Sequence, residues 1–294
     1  MCKDPKQTPK EDIKYERLAS KHQQLAQILY SHLTNKSTSS LTREHSAASY
    51  AELKALIRVI GGVPAAPGEF NECCLVGTRN SMGHTRWFCT GVLIHPGIVV
   101  TAAHCIKPGR AYEVRLGIND MNNSLGGEKI AVRKVIVHPQ YHSGNHLNDI
   151  AVLILQAKAQ TSPVPPASTA RLIQAGEVML VGFGNDEMTG TTGFGTKRKV
   201  EVDILSIRQD PGQDLSDDEA LYEYESDLEF VAGGAGFDTC TGDSGGPVYI
   251  MEEGRRSVAG LTSRAVGNSV HPCGDGGIYT RLDVHAAFIN NYLH

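Results

Sequence analysis

Short apolar runs separated by turns fill the chain from Glu69 to its end. The runs are rich in valine, isoleucine and leucine, and glycine, proline or asparagine stands between most of them. This pattern is typical of an all-β barrel or sandwich, while the apolar residues of Val284–Leu293 predict a closing helix. The predicted strands are Val92–Ile94, Ile98–Thr101, Tyr112–Leu116, Ile130–Val137, Ile150–Leu155, Val178–Val181, Val200–Ile204, Val248–Met251, Val258–Leu261 and Gly277–Arg281.

The first 58 residues carry a helical pattern instead. Leu18, Leu25 and Ile28 fall at helical spacing, which predicts a helix over Glu11–Leu33. A second helix is predicted over Thr42–Ile57, after a polar linker. The apolar stripes are narrow, so the segment is either a solvated helical spacer or a pro-segment that docks on another surface.

The glycine-rich stretch around Ser244 carries the candidate chemistry. It reads Thr-Gly-Asp-Ser-Gly-Gly-Pro, a turn in which backbone N–H groups can converge on a developing oxyanion. A serine hydroxyl is a weak nucleophile, so it needs a general base and a group that orients the base. His104, in Thr-Ala-Ala-His-Cys, supplies the base, and Asp149, in Asn-Asp-Ile-Ala-Val-Leu, supplies the carboxylate.

These three motifs occur in the order His, Asp, Ser. Because of these motifs and their order, residues 59–294 resemble the chymotrypsin-like (trypsin-fold) serine proteases. The resemblance implies an all-β fold of two antiparallel six-stranded β-barrels with a C-terminal helix, preceded by the short helical N-terminal segment. It divides the chain into a helical pro-segment or regulatory region, residues 1–58, and a protease domain, residues 59–294.

The resemblance also assigns catalytic roles. His104 would act as general base toward Ser244 and then as general acid toward the leaving amine, while Asp149 would hold the imidazole in the right tautomer. The N–H groups of Gly242 and Ser244 would form the oxyanion hole. All three triad residues are present, which disfavours a catalytically silent binding module on the same fold.

Substrate specificity is predicted from the positions around the serine. Asp238 matches the floor of the primary pocket and Gly277 its wall, which predicts cleavage after Arg or Lys because a buried carboxylate needs a cationic partner. The alternative is that Asp238 is an ordinary turn aspartate. Ser263, Arg264 and Ala265 stand where the family has Ser-Trp-Gly, and a free Arg264 would favour acidic residues before the cleaved bond.

The sequence Arg58-Val59-Ile60-Gly61-Gly62 resembles the activation site of the family's zymogens. Cleavage after Arg58 would free an α-amino group at Val59, which would pair with Asp243 and order the oxyanion turn. In the intact chain we expect Asp243 to point outward, because burying an unpaired carboxylate is unfavourable. The alternative is that this stretch is an ordinary strand entry after a helix.

The chain has seven cysteines, and their pairing indicates the cellular compartment in which the protein functions. Disulfides of the kind the resemblance implies persist in oxidising compartments, which favours a secreted or periplasmic protein. The N-terminus offers no apolar stretch for a secretory signal, so the alternatives are a removed signal and a cytoplasmic protein. The resemblance pairs Cys89 with Cys105 and Cys240 with Cys273, and it leaves Cys2, Cys73 and Cys74 either free or paired.

We expect no cofactor. Calcium is a disfavoured alternative, because the loop Gly117–Glu128 offers Asp120 and Glu128 but has Ile118 where calcium-binding relatives have a carboxylate. His138 and His142 lack a third metal ligand nearby.

Charge and hydropathy limit the partners. The net charge of −4 argues against nucleic-acid binding, and the lack of a long apolar run argues against a membrane span. The acidic stretch 214–229 is interpreted as a solvated loop or as a surface for a basic partner.

The sequence therefore predicts a serine endopeptidase that hydrolyses peptide bonds after Arg or Lys and is made as a zymogen. Its partners would be protein or peptide substrates and either an activating protease or a docking partner of residues 1–58. The alternative is a trypsin-fold effector or processing protease that is regulated by docking of its N-terminal helices.

Overall fold

The computed structural model describes residues 62–123, 126–186, 192–234, 236–252 and 254–293. The two predicted N-terminal helices, Cys2 and the predicted cleavage site between Arg58 and Val59 lie outside these residues. Within the described ranges, no helix is long and apolar enough to cross a membrane.

The first barrel is a closed antiparallel sheet that follows a two-residue strand, β1 (Val63–Pro64). Its strands are β2 (Cys73–Arg79), β3 (Thr85–His95), β4 (Ile98–Thr101), β5 (Ala111–Leu116), β6 (Glu128–Val137) and β7 (Ala151–Leu155). Around the barrel they neighbour one another in the order β2-β3-β4-β7-β6-β5.

The second barrel follows a short helix, α1 (Thr169–Gln174). It contains β8 (Glu177–Gly182), β9 (Arg198–Ser206), β10 (Glu229–Ala232), β11 (Pro247–Glu252), β12 (Arg255–Ala265) and β13 (Gly277–Arg281), with helix α2 (Ser216–Tyr222) after β9 and α3 (Ala286–Asn290) at the end. The order is β9-β10-β13-β12-β11-β8, the pairing of β8 with β9 closes the ring, and β1 attaches to β9. The predicted all-β fold of two six-stranded barrels is confirmed.

One apolar cluster joins the two barrels. Leu75 and Val92 from the first barrel pack in the same buried cluster as Val181, Tyr249 and Leu261 from the second. Each fully buried side chain of this size contributes about 1.5–3 kcal/mol to folding. The junction is therefore well packed, and it fixes the loops that each barrel contributes to the shared site.

The described elements differ from the sequence prediction in several places, and helices α1 and α2 are among the elements that were not predicted. Strand β2 was not predicted, because its cysteines and internal glycine carry a weak strand signal. Strand β10 was not predicted either, since it begins with the charged Glu229, which is nevertheless buried. Helix α3 is shorter than the predicted Val284–Leu293, with His285 at its N-cap position.

Candidate active site

The three predicted triad residues come from loops at the junction of the barrels. His104 lies in the 3₁₀ turn Ala103–Cys105, just after β4, and Asp149 lies just before β7. Ser244 lies on the turn before β11, where its carbonyl oxygen accepts the Thr90 N–H at 2.9 Å. The same oxygen lies 3.6 Å from Cys105 Sγ, so the serine sits against the neighbour of His104.

The pair of His104 and Asp149 is tightly held. His104 Nδ1 lies 2.7 Å from Asp149 Oδ2, and the His104 backbone N–H donates to Asp149 Oδ1 at 2.9 Å. The Ser263 hydroxyl donates to Asp149 Oδ2 at 2.7 Å. Burial alone would raise the pKa of Asp149, but the hydrogen bonds from His104 and Ser263 outweigh it and lower the pKa. A charged Asp149 keeps a proton on Nδ1, which leaves Nε2 of His104 as the acceptor.

The turn that holds Ser244 needs its glycine. Gly242 has φ +101°, and a Cβ there would lie 2.5 Å from Cδ2 of Phe194. The turn is closed by the Asp243 N–H, which donates to Cys240 O at 2.9 Å. Among the described residues, no acceptor takes the N–H of Gly242 or of Ser244. Both predicted oxyanion-hole donors are therefore available.

Asp243 is buried, contrary to the expectation that it points outward in the intact chain. Its carboxylate accepts the N–H groups of Gly184 at 2.7 Å and Cys240 at 2.9 Å, which explains how it stays inside. A Cβ at Gly182 would lie 1.9 Å from its Oδ1, so this close approach requires glycine. The ion pairs among the described residues do not include Asp243, and burial raises its pKa to about 6.

Asp238 and Gly277 lie side by side, as the pocket prediction requires. Asp238 is 2% exposed. Its carboxylate accepts the Tyr279 hydroxyl at 3.0 Å, the Thr239 N–H at 2.6 Å and the Gly276 N–H at 3.2 Å. Burial outweighs these hydrogen bonds and raises the pKa of Asp238 to about 7. A Cβ at Gly277 would lie 2.8 Å from Asp238 Oδ1, so any larger residue would crowd the carboxylate.

Arg264 does not present a free charge, so the expectation that it selects acidic residues loses its basis. Its guanidinium makes a bidentate pair with the fully buried Glu229, at 2.5 and 2.9 Å. It also donates to the backbone oxygen of Glu223 at 3.1 Å. Ala265, the next residue, is exposed. The acidic stretch 214–229 is accordingly not a plain solvated loop, since it contains α2 and ends in β10.

His146 is a neighbour of the triad that the sequence interpretation left as an ordinary loop residue. Its ring centroid lies 5.2 Å from that of His104, and its Nδ1 lies 3.9 Å from Asp149 Oδ2. Its pKa is lowered, chiefly by burial, although the charge of Asp149 acts the other way. Its position three residues before Asp149 was the one available signal.

The two histidines that the sequence considered as a metal pair have different surroundings. His138 packs edge-on against Phe288 and His285, with ring centroids 4.6 and 5.2 Å apart, and burial lowers its pKa. His142 Nδ1 bonds to Asn145 Oδ1 at 2.8 Å. These two histidines therefore point to different partners.

The loop Gly117–Glu128, for which calcium was a disfavoured alternative, holds an arginine side chain. Arg115 is 4% exposed, and its guanidinium donates to the carbonyl oxygens of Met121 at 2.9 Å, Gly126 at 3.0 Å and Asn123. Carbonyl oxygens of such a loop are the ligands that a hard cation needs. Glu128 is also engaged, because its carboxylate accepts two backbone N–H groups, so the donor set does not fit calcium.

The cysteines pair as the resemblance implies. Cys89 is bonded to Cys105 and Cys240 to Cys273, so one disulfide adjoins His104 and the other adjoins the Ser244 turn. Cys73 and Cys74 are free and buried on β2, which resolves the alternative left open for them. Burial raises the pKa of both thiols.

Two antiparallel barrels that bring a histidine, a buried carboxylate and a serine to their junction define a serine hydrolase of the two-barrel class. A family model described as Trypsin matches residues 59–289, and the chain belongs to this family of serine endopeptidases.

Three relatives of this chain differ in how much of their own length it matches. "Serine protease snk" of Drosophila melanogaster is 30% identical over 240 residues, covering 76% of this chain and 54% of that protein. "Vitamin K-dependent protein C" of Rattus norvegicus is 32% identical over 258 residues, covering 82% and 53%. "Chymotrypsin-like elastase family member 1" of Macaca fascicularis is 28% identical over 261 residues, covering 85% and 94%. The matched region thus spans about half the length of the first two relatives.

Proposed function

We propose that this serine endopeptidase cleaves peptide bonds after Arg or Lys. The observation that carries the proposal is the buried carboxylate of Asp238 beside the glycine at position 277. Within the described residues the Asp238 carboxylate has hydrogen-bond partners but no ion pair. A substrate guanidinium or ammonium would neutralise its charge, so binding a basic side chain relieves a desolvation penalty. The lack of a Cβ at Gly277 keeps the approach to the carboxylate open.

The chemistry follows from the geometry around Ser244. His104 Nε2 takes the hydroxyl proton as the oxygen attacks the peptide carbonyl, and the N–H groups of Gly242 and Ser244 stabilise the oxyanion. Asp149 stabilises the imidazolium that forms. His104 then donates the proton to the leaving amine, and a water molecule repeats the sequence on the acyl-enzyme.

The intact chain is proposed to be a zymogen in which residues 1–58 are the pro-segment and residues 59–294 the protease. Cleavage between Arg58 and Val59 would supply an α-amino group for Asp243. Supporting this, Asp243 is buried with no cation among the described ion pairs. The two disulfides, which persist in oxidising compartments, support an extracytoplasmic location.

Hydrolysis of a matched peptide series tests the specificity. The peptides differ only at the residue before the cleaved bond, which is Arg, Lys, Ala or Phe, and the enzyme is the processed form. We expect kcat/KM for Arg and Lys to exceed the other two by at least about 100-fold, as a desolvated charge pair would give. Equal rates for Arg and Ala would contradict Arg/Lys specificity and would instead favour the small-residue preference that an elastase name suggests.

The nucleophile is tested separately with a fluorophosphonate probe, which reacts with an activated serine hydroxyl. Ser244→Ala should abolish labelling of the processed protein, while Ser269→Ala, on an exposed loop, should label like wild type. Labelling that survives in Ser244→Ala would place the nucleophile elsewhere.

A further inference from the structure

His146 contacts the triad but has no part in the proposed mechanism. Its Nδ1 is buried, and within the described residues it has no hydrogen-bond partner. Buried ring nitrogens are normally paired, so an unpaired one indicates a missing ligand or water. The nearest charged group is the Asp149 carboxylate, 3.9 Å away, and the nearest ring is His104.

The loop around His146 holds the imidazole in place. His146 has φ +58°, a left-handed conformation that non-glycine residues keep only where the surroundings impose it. The surroundings do so here: the His142 N–H donates to Leu147 O at 3.1 Å, and Asn148 Nδ2 donates to Gln140 O at 3.2 Å. The imidazole is therefore positioned before any ligand arrives.

We propose that His104, His146 and Asp149 form a binding site for a divalent transition metal ion such as Zn²⁺, and that the bound ion inhibits the protease. One ligand atom from each residue can be chosen so that all three lie within 4.8 Å of one another. A tetrahedral zinc ion with bonds of about 2.1 Å spaces its ligands about 3.4 Å apart, which small side-chain rotations would reach. Two imidazoles and one carboxylate are a common zinc set, whereas calcium and magnesium require oxygen ligands.

Inhibition follows from the tautomer of His104, so this inference rests on His104 being the general base of the proposed function. In the metal-free site Nδ1 carries the proton and donates to Asp149. When the Nδ1 lone pair binds the ion, that proton is bound at Nε2 instead, and no proton is gained or lost overall. Nε2 is then a donor, so it has no lone pair to take the proton of Ser244.

Metal binding can be measured without catalysis. Titration of the processed Ser244→Ala protein with zinc chloride in a calorimeter should show one site. His146→Asn in the same background should weaken binding by at least about tenfold, because it removes one of three ligands while asparagine tolerates positive φ. His84→Asn, which removes an exposed histidine far along the chain, should bind as the parent does. Absence of binding, or equal binding by the His146→Asn protein, would overturn the proposal.

A second readout covers the case in which His146→Asn does not fold. Cobalt(II) added to the Ser244→Ala protein should give the visible absorption bands of a tetrahedral ion, and zinc should displace them. Failure to see these bands with a folded protein counts against the site.

Inhibition is measured on the processed wild-type enzyme, with each variant compared with its own metal-free rate. Zinc should slow both peptide hydrolysis and fluorophosphonate labelling, and a chelator should restore them; the His146→Asn enzyme should need at least about tenfold more zinc. Zinc binding by a wild-type chain that hydrolyses no peptide would count against the proposed function alone. If zinc leaves the rate of peptide hydrolysis unchanged, the proposed inhibitory metal site is contradicted while the proposed function is not.

Discussion

At the scale of single residues, two carboxylates are buried and make no ion pair with any other residue that the structure describes. Asp238 and Asp243 each accept several N–H or O–H bonds, yet burial raises their pKa values to about 7 and about 6. Both groups lie at points where the proposed mechanism introduces a cation, the substrate side chain in one case and the α-amino group of Val59 in the other. Their raised pKa values therefore make two proposed binding events dependent on pH.

The pH dependence of specificity tests the role of Asp238. Below pH about 7 the carboxyl is protonated and cannot pair with a substrate guanidinium, so the ratio of kcat/KM for Arg and Ala peptides should fall as pH is lowered from 8 to about 6. Taking the ratio cancels every ionisation that affects both substrates equally. The ratio for the Asp238→Asn enzyme should be small and flat. A ratio that stays constant in the wild type would contradict the assignment.

The same shift affects stability in the opposite sense to a salt-bridged aspartate. Because the pKa of Asp238 is higher in the folded protein than its ordinary value of 3.8, the folded state holds the proton more tightly. The contribution of this group therefore weakens folding as pH rises from about 4 to about 7 and is constant above that range. Asp238→Asn should remove this part of the pH dependence of the unfolding free energy.

At the scale of the elements, two arginines replace features that the resemblance predicts. Arg264 on β12 stands in the place of an aromatic residue, and the side chain of Arg115 on β5 fills the loop for which calcium was a disfavoured alternative. Each was visible in the sequence, but its partners were not, since Glu229 is 35 residues from Arg264 and the carbonyl oxygens around Arg115 become partners only when the loop folds. Contacts of this kind depend on tertiary structure, which composition and periodicity do not encode.

The catalytic sequence motifs predicted the site more fully than the pattern of apolar and polar residues did. His104, Asp149 and Ser244 were predicted because each lies in a long, specific motif, and the barrels followed from the resemblance. The role of His146 and the strand β10 were missed. From sequence alone, a histidine in a loop and a glutamate at the start of a strand are both expected to be exposed to solvent. The buried carboxylate of Glu229 is paired with Arg264 and accepts the Glu225 N–H, and neither partner can be recognised from the sequence pattern.

The loop from Gly117 to Glu128 should depend on Arg115 rather than on calcium. Replacing Arg115 with Met removes three partly buried hydrogen bonds to carbonyl oxygens and should lower the free energy of unfolding by about 1–3 kcal/mol. Arg110→Met, at an exposed position, is the matched control and should change little. Urea unfolding with and without a calcium chelator provides the measurement. A wild-type protein that loses stability in the chelator would contradict the arginine-filled loop.

The pair of Arg264 and Glu229 should matter more than an exposed pair. Arg264→Met leaves the fully buried Glu229 unpaired and should cost about 3–5 kcal/mol, while Arg264→Met with Glu229→Gln should recover much of this loss. Asp227→Asn, which breaks the pair of Arg208 with a carboxylate that is 69% exposed, should cost at most about 1 kcal/mol. Urea unfolding of the four proteins gives the comparison. If Arg264→Met lowers the free energy of unfolding no more than Asp227→Asn does, the Glu229 carboxylate is not buried as described.

At the scale of the whole molecule, the proposed active site is assembled from both barrels. The first barrel supplies His104 and Asp149, the second supplies Ser244, and the packed junction holds them together. Ser263 on β12 bonds across the junction to Asp149 at 2.7 Å, so the second barrel also orients the acid of the first. Catalysis should therefore be sensitive to any change that shifts one barrel against the other, even where neither barrel unfolds.

The proposed activation involves two parts of the chain that are far apart in sequence. The cleavage site follows Arg58, and the carboxylate that would pair with the new α-amino group belongs to Asp243. We expect the intact chain to be nearly inactive and cleavage after Arg58 to raise kcat/KM by about 100-fold or more, the scale of a buried ion pair. Arg58→Gln should fold but stay unprocessed. Asp243→Asn should be cleaved by an added protease and yet gain little activity, because the neutral amide cannot pair with the new amine.

N-terminal sequencing of each sample, alongside peptide hydrolysis, separates processing from activity. Asp243 is already buried in the intact chain. The new α-amino group of Val59 is therefore expected to lower the pKa of Asp243 rather than to draw its side chain inward. The pKa of Asp243 should therefore be lower in the processed enzyme than in the intact chain, where burial raises it to about 6. If uncleaved Arg58→Gln protein hydrolyses peptides as fast as the processed enzyme, residues 1–58 are not an activation peptide. Regulation would then have to come from docking of the N-terminal segment, whose two predicted helices carry the narrow apolar stripes that such docking requires.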